Sequence, residues 1–156
     1  AHGRPVTEIQ MADLLREVRR RFDFCLLDAP AGLGRGFQLA TCAADRCVVV
    51  TTADASSLRD AQHTVMELSR FPAGRLHLVV NRVRKKMLRQ LHATIDDAID
   101  QAGLPLLGVV PEDDTLPLCL NRGQPPLPGE SRLAAAAYRN IAKRIQGERV
   151  PLLRIR

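Results

Sequence analysis

Aromatic side chains are scarce in this 156-residue sequence, which has no Trp, one Tyr and four Phe. Its core must be packed from Leu, Val, Ile and Ala, and a nucleic-acid surface built of stacked rings is excluded. Lysine is nearly missing too: Lys85, Lys86 and Lys143 are the whole complement, and none follows a glycine. The chain therefore contains no phosphate loop of the glycine-lysine kind. The four cysteines (Cys25, Cys42, Cys47, Cys119) show no C-x-x-C spacing, and the four histidines are scattered. A disulfide or zinc framework is not indicated, and buried, reduced thiols in a cytosolic protein are expected. No run approaches the ~20 apolar residues of a membrane span, and no signal-peptide pattern opens the chain. The first residue is Ala1 rather than Met, so a fragment or a processed product is expected.

What is abundant is arginine. The formal net charge is +6, with basic clusters at residues 16–21 and 82–89. Such clusters suit nucleic acid, anionic lipid or a nucleotide's phosphates, and they equally suit solvated helix and loop faces.

Four short aliphatic runs, residues 24–27, 47–52, 76–80 and 106–110, are continuously apolar, as strands covered on both faces of a parallel sheet are. Between them lie helical patterns. Met11, Leu14, Leu15 and Val18 form an amphipathic stripe; residues 57–71 open with Ser57 and Asp60 at capping-box spacing and align Leu58, Ala61, Val65 and Leu68. Residues 94–103 repeat the device with Thr94 and Asp97 and close on Gly103; residues 131–146 align Leu133, Ala137, Ile141 and Ile145. The alternation predicts an α/β fold, a doubly wound and mostly parallel sheet with helices on both faces, in one domain over residues 1–156. The Pro/Gly-rich residues 123–130 are too short to separate domains, and residues 147–156 form a basic, apolar tail.

In such a sheet the ligand crevice lies at the carboxyl ends of the strands. Standing there are Asp28, then Thr51 and Thr52, then Asn81 and Arg82, then Pro111, Glu112 and Asp113. An Asp ending a buried strand holds Mg²⁺ or caps the turn after it. Gly32, Gly34 and Gly36 let backbone N–H groups approach an anion, although "GLGRG" is not the dinucleotide G-x-G-x-x-G. Asn81 offers an amide to a purine edge, or simply ends its strand in a turn.

The stretches "DFCLLDAPAGLGRGF", "VVVTTADASSLRDA", "HLVVNRVR" and "PLLGVVPEDDTLPLCLNRGQP" occur in an order and spacing that resembles the MinD/ParA family, the deviant Walker A group of P-loop ATPases, and most of all its MinD branch. The resemblance runs over residues 22–126. It implies ATP and Mg²⁺ as cofactors, with Asp28 as the Walker B carboxylate on the metal, through a coordinated water, and Gly32 in a switch segment touching the γ-phosphate. Asn81 and Arg82 would flank the adenine, and Pro111 and Asp113 would close over it. Asp60 would lie near the surface for dimerisation and partner binding. It further implies an ATP-dependent homodimer, division-site regulatory proteins as partners, and a cytoplasmic protein that becomes peripheral at the inner face of the cell membrane.

The sequence departs from the family in having Gly34 where an acidic residue is usual, and in lacking the K-G-G-x-G-K-T loop and the switch I Asp. It thus reads as the carboxyl-terminal portion of such an ATPase, inactive by itself. The tail "GERVPLLRIR" is either a short membrane anchor, interrupted by Pro151, or a docking tail. Two alternatives stand beside septum placement: a partition or flagellar-number ATPase contacting DNA through residues 82–89, and a non-enzymatic regulatory module that has lost its P-loop.

Overall fold

The computed structural model describes residues 5–72, 74–84, 103–124 and 132–152. The helix expected at residues 94–103 lies outside them but for Gly103, as do Lys85, Lys86 and the last four residues. The chain divides into two compact units, Ala1–Cys47 and Val48–Arg156, each described by itself.

In the first unit α1 (Glu8–Arg19) starts at Thr7, whose side chain accepts from the Gln10 N–H while the Gln10 side chain accepts from the Thr7 N–H. This reciprocal box satisfies two donors that the first helical turn leaves open. Of the expected stripe Leu15 is buried, whereas Leu14 stays exposed. A second helix, α2 (Arg35–Thr41), follows the glycine loop. Arg19 ties the two together, reaching the Ala43 carbonyl and Asp45 at 2.9 Å each, and Arg35 donates to the Val6 carbonyl at 2.7 Å.

The expected strand at residues 24–27 is not formed. Phe24 is 58% and Leu26 87% exposed, and Cys25 is exposed rather than buried. Strand propensity expresses packing against neighbours on a sheet. Without a neighbouring strand the run keeps strand-like residues and no strand.

The second unit carries a three-stranded sheet in the order β1 (Cys47–Thr52), β2 (Leu76–Val83), β3 (Leu106–Pro111). It also holds α3 (Ala55–Glu67), α4 (Thr115–Asn121) and α5 (Arg132–Ile145). β2 and β3 are buried on both faces, as their continuous apolar runs require. β1 instead alternates, with Val49 and Thr51 buried and Val48 and Val50 exposed. The core is the contact of β2 and β3 with α5, where Val79, Leu107 and Val110 meet Ala134 and Ala137, flanked by Leu116, Ile141 and Ile145. The alanines bring the helix close, and at Gly108 a Cβ would stand 2.5 Å from Cγ1 of Ile141.

β2 and β3 run parallel but not evenly. Leu78 pairs with Leu106 and Val79 with Gly108, so Leu107 is an extra residue in β3; Val80 pairs with Val109 and Val83 with Pro111, so β2 carries the extra residue at Asn81–Arg82. The two bulges cancel, and the strands end in register. Bulges in parallel pairs are rare and leave backbone groups without ladder partners. Arg144 on α5 takes the Leu107 carbonyl at 2.6 Å, and the same guanidinium holds the Val150 carbonyl at 2.6 and 3.0 Å. One side chain therefore satisfies the bulge and seats the segment after α5. Replacing it by methionine (Arg144→Met) keeps much of the packing and removes these donors. Chemical denaturation is expected to show a loss of about 1–3 kcal/mol, and unchanged stability would show that the carbonyls find other partners.

Candidate functional site

In the first unit, the segment from Asp28 through Gly34 joins the apolar run to α2. Its three glycines have different physical reasons. Gly32 has φ 85°, a left-handed conformation that other L-residues adopt at a cost, and nothing would crowd a Cβ there. Gly34 is the N-cap of α2 and makes no side-chain cap. Gly36 lies within α2, and its missing Cβ makes room for the Pro30 ring, whose Cγ would be 2.5 Å away. The space a side chain would take there is filled by the Pro30 ring.

Asp28 is exposed. Among the described residues its carboxylate makes no hydrogen bond or ion pair, so it does not cap the turn that follows. A hard, unengaged carboxylate is the kind of oxygen ligand that Mg²⁺ takes together with water and phosphate, and the residue present fits that ion.

In the second unit the strand ends are built more tightly. Thr52 at the end of β1 donates to Asp54, which caps α3 by accepting from the Ser57 N–H at 3.0 Å and from Ser56 Oγ at 2.7 Å. The cap is Asp54 rather than the Ser57 expected from the sequence. These hydrogen bonds, from Thr52 first and then Ser57 and Ser56, hold the Asp54 carboxyl well below the usual carboxylate range. A carboxyl depressed on folding stabilises the fold above its unfolded pKa of about 3.9, and that contribution fades as pH falls through the folded value.

Asn81 and Arg82 form the bulge of β2. Arg82 has φ 55°, the one positive value among described non-glycine residues. That conformation costs on the order of 1–2 kcal/mol for a residue with a Cβ, and such strain gathers at functional sites. Asn81 Oδ1 accepts from the Arg82 N–H at 2.9 Å. Beside the bulge, the Glu112 N–H donates to the Val83 carbonyl at 2.9 Å, and its carboxylate receives Arg82 at 3.3 Å on one oxygen and Arg84 on the other. Arg84 first, and Arg82 with it, hold the Glu112 carboxyl below its ordinary range, while Glu112 raises Arg84. Pro111 is buried, and Asp113 Oδ1 accepts from the Thr115 N–H at 3.0 Å and Thr115 Oγ1 at 2.6 Å, anchoring the start of α4.

The structure thus brings Asn81, Arg82, Pro111 and Asp113 to one end of the sheet. The sequence reading missed the part played by Glu112. Its signal was present, an acidic residue between two strand-end candidates and a basic cluster 28 to 30 residues earlier.

The family model described as cellulose biosynthesis protein BcsQ, of the ParA/MinD group, matches residues 5–145. The chain belongs to the MinD/ParA family. Among curated relatives it is 36% identical over 148 residues to septum site-determining protein MinD of Bacillus subtilis, covering 92% of this chain and 54% of that protein. The MinD of Synechocystis is 34% identical over 148 residues, with 92% and 55% covered. The chain spans about half the length of these relatives. Among solved structures, the MinD cell division protein of Aquifex aeolicus superposes with a TM-score of 0.86 at 28% identity, over 96% of this chain and 64% of that one. The Pyrococcus horikoshii MinD, solved with Mg-ADP, gives 0.72 at 25% identity, over 89% and 56%. A MinC:MinD complex from Aquifex aeolicus matches at 0.85 and 28%, over 96% and 63%.

Proposed function

We propose that the complete polypeptide carrying this chain is a MinD-like, Mg²⁺-dependent ATPase that takes part in placing the division septum. The observation that carries this is the match to MinD over nearly the whole chain, in sequence and in backbone. That one such neighbour was solved with Mg-ADP supports nucleotide and Mg²⁺ as ligands here. The MinC:MinD complex supports a division-site regulator as partner.

In this reading Asp28 would help to hold the Mg²⁺, and the exposed Gly32 would offer its amide to the terminal phosphate. Bound Mg²⁺ supplies neutralisation of phosphate charge. Asn81 and Arg82 bind the base, and Pro111 and Asp113 border it. These 156 residues contain no glycine-lysine loop to hold the phosphates. An ATP-dependent homodimer, a cytoplasmic location and reversible membrane attachment belong to the same reading.

The cellulose-synthesis name of the matching family model concerns the biology and leaves this chemistry unchanged. DNA binding through residues 82–89 is less favoured, because Arg82 and Arg84 are already paired with Glu112.

Phosphate release by the complete polypeptide, with ATP and with Mg²⁺ present or chelated, tests the proposal. Hydrolysis that needs both is the expected result, and the absence of nucleotide binding would overturn it.

A further inference from the structure

We infer that Glu112 is a positioning residue that sets the nucleobase preference of this protein by fixing the Asn81–Arg82 bulge. The inference rests on the reading of Asn81 and Arg82 as the base-binding pair and adds a residue to which no base-binding role has been assigned.

The bulge has a strained member, Arg82 at φ 55°, and no ladder partner for its extra residue. Something must hold it. Glu112, the residue after β3, does so at three consecutive residues across the end of β2: its N–H on the Val83 carbonyl, one carboxylate oxygen on Arg82 and the other on Arg84. The Glu112 side chain is 24% exposed, while those of Arg82 and Arg84 are 69% and 68% exposed, so the carboxylate is the sheltered centre on which two cations converge. A glutamine has the same shape but one acceptor oxygen and no charge, and cannot serve both.

The consequence falls on Asn81. Its Oδ1 accepts from the Arg82 N–H, which sets the rotation of the carboxamide and leaves the second lone pair of that oxygen for an amino donor of the ligand, with the Nδ2 donors beside it. A fixed carboxamide distinguishes a purine edge bearing an amino donor from one bearing a carbonyl acceptor. A carboxamide free to turn over can meet either. Holding the bulge is therefore holding the discrimination.

The test is equilibrium binding of Mg-ATP, Mg-GTP and inorganic triphosphate to the complete polypeptide, by calorimetry. The wild type is expected to prefer ATP. Glu112→Gln is expected to narrow the ATP-to-GTP preference by about tenfold or more, because discrimination that rests on oriented hydrogen bonds disappears when the orientation does. Triphosphate affinity should stay as in the wild type. Arg84→Ala, which leaves the Arg82 contact, should preserve the preference. A Glu112→Gln protein with the wild-type preference overturns the inference, and so does an equal loss for all three ligands, the mark of a merely structural role. A wild type that binds no nucleotide instead overturns the ATPase reading beneath it.

Discussion

Asp28→Ala in the complete polypeptide is expected to lower Mg²⁺-dependent ATP turnover by about 100-fold or more, with the melting temperature unchanged. Phosphoryl transfer asks little covalent chemistry of a protein; its rate comes from positioning and from charge neutralisation. An aspartate that orients the metal shell is then worth more to the transition state than to the fold. The structure supports the second half of that statement, since Asp28 is exposed and unengaged among the described residues. Asp28→Asn, which keeps the shape and removes the charge, should lose nearly as much. Wild-type turnover in either variant would sink the Walker B assignment, and a melting temperature that fell with activity would point to a structural role.

The largest effect on stability is expected at Gly108, where β3 and α5 approach. Gly108→Val is expected to destabilise the protein by about 2–3 kcal/mol in denaturant unfolding. A Cβ at this position meets Ile141 Cγ1 at 2.5 Å and Cδ1 at 2.9 Å. A β-branched residue in a helix keeps essentially one χ1 rotamer, so Ile141 has little room to turn aside. The alternative, moving α5 outward, loosens Ala134 and Ala137, which are 0% and 2% exposed. Trimming the opposing side chain with Ile141→Ala should recover part of the loss in the double variant, because neighbouring sites couple. Purely additive effects of the two substitutions would show that the clash is relieved elsewhere.

Much of the architecture was legible along the chain. The apolar stripe before residue 20, the helical pattern after Thr52 and the Ala-rich face of the last helix all became helices. Three of the four aliphatic runs became strands. Other features were not legible, each for an identifiable reason. At the start of α3 two capping patterns overlap, Asp54 with Ser57 and Ser57 with Asp60, and local sequence does not rank them. Thr52 and Ser56, brought in by the strand-to-helix turn, decide for Asp54. The helix α2 was hidden because its flanking glycines read as loop, and only the contact of Pro30 with Gly36 gives the third glycine its purpose. Residues 24–27 carry strand-forming side chains, yet a strand is a relation between two segments rather than a property of one.

The sequence by itself determined the class of the protein: an α/β chain with Asp28, Asn81 and Pro111 at the ends of aliphatic runs, in an order that marks the MinD/ParA family. Such things depend on residues near one another in the chain, where periodicity and spacing carry the information. Only the tertiary structure decided that β2 and β3 carry opposed bulges, that Arg144 closes one and that Glu112 closes the other. Register is settled between strands whose contacts span some thirty residues of chain. A bulge exists only when two particular strands pair and one has a residue to spare, and nothing in either strand alone announces it.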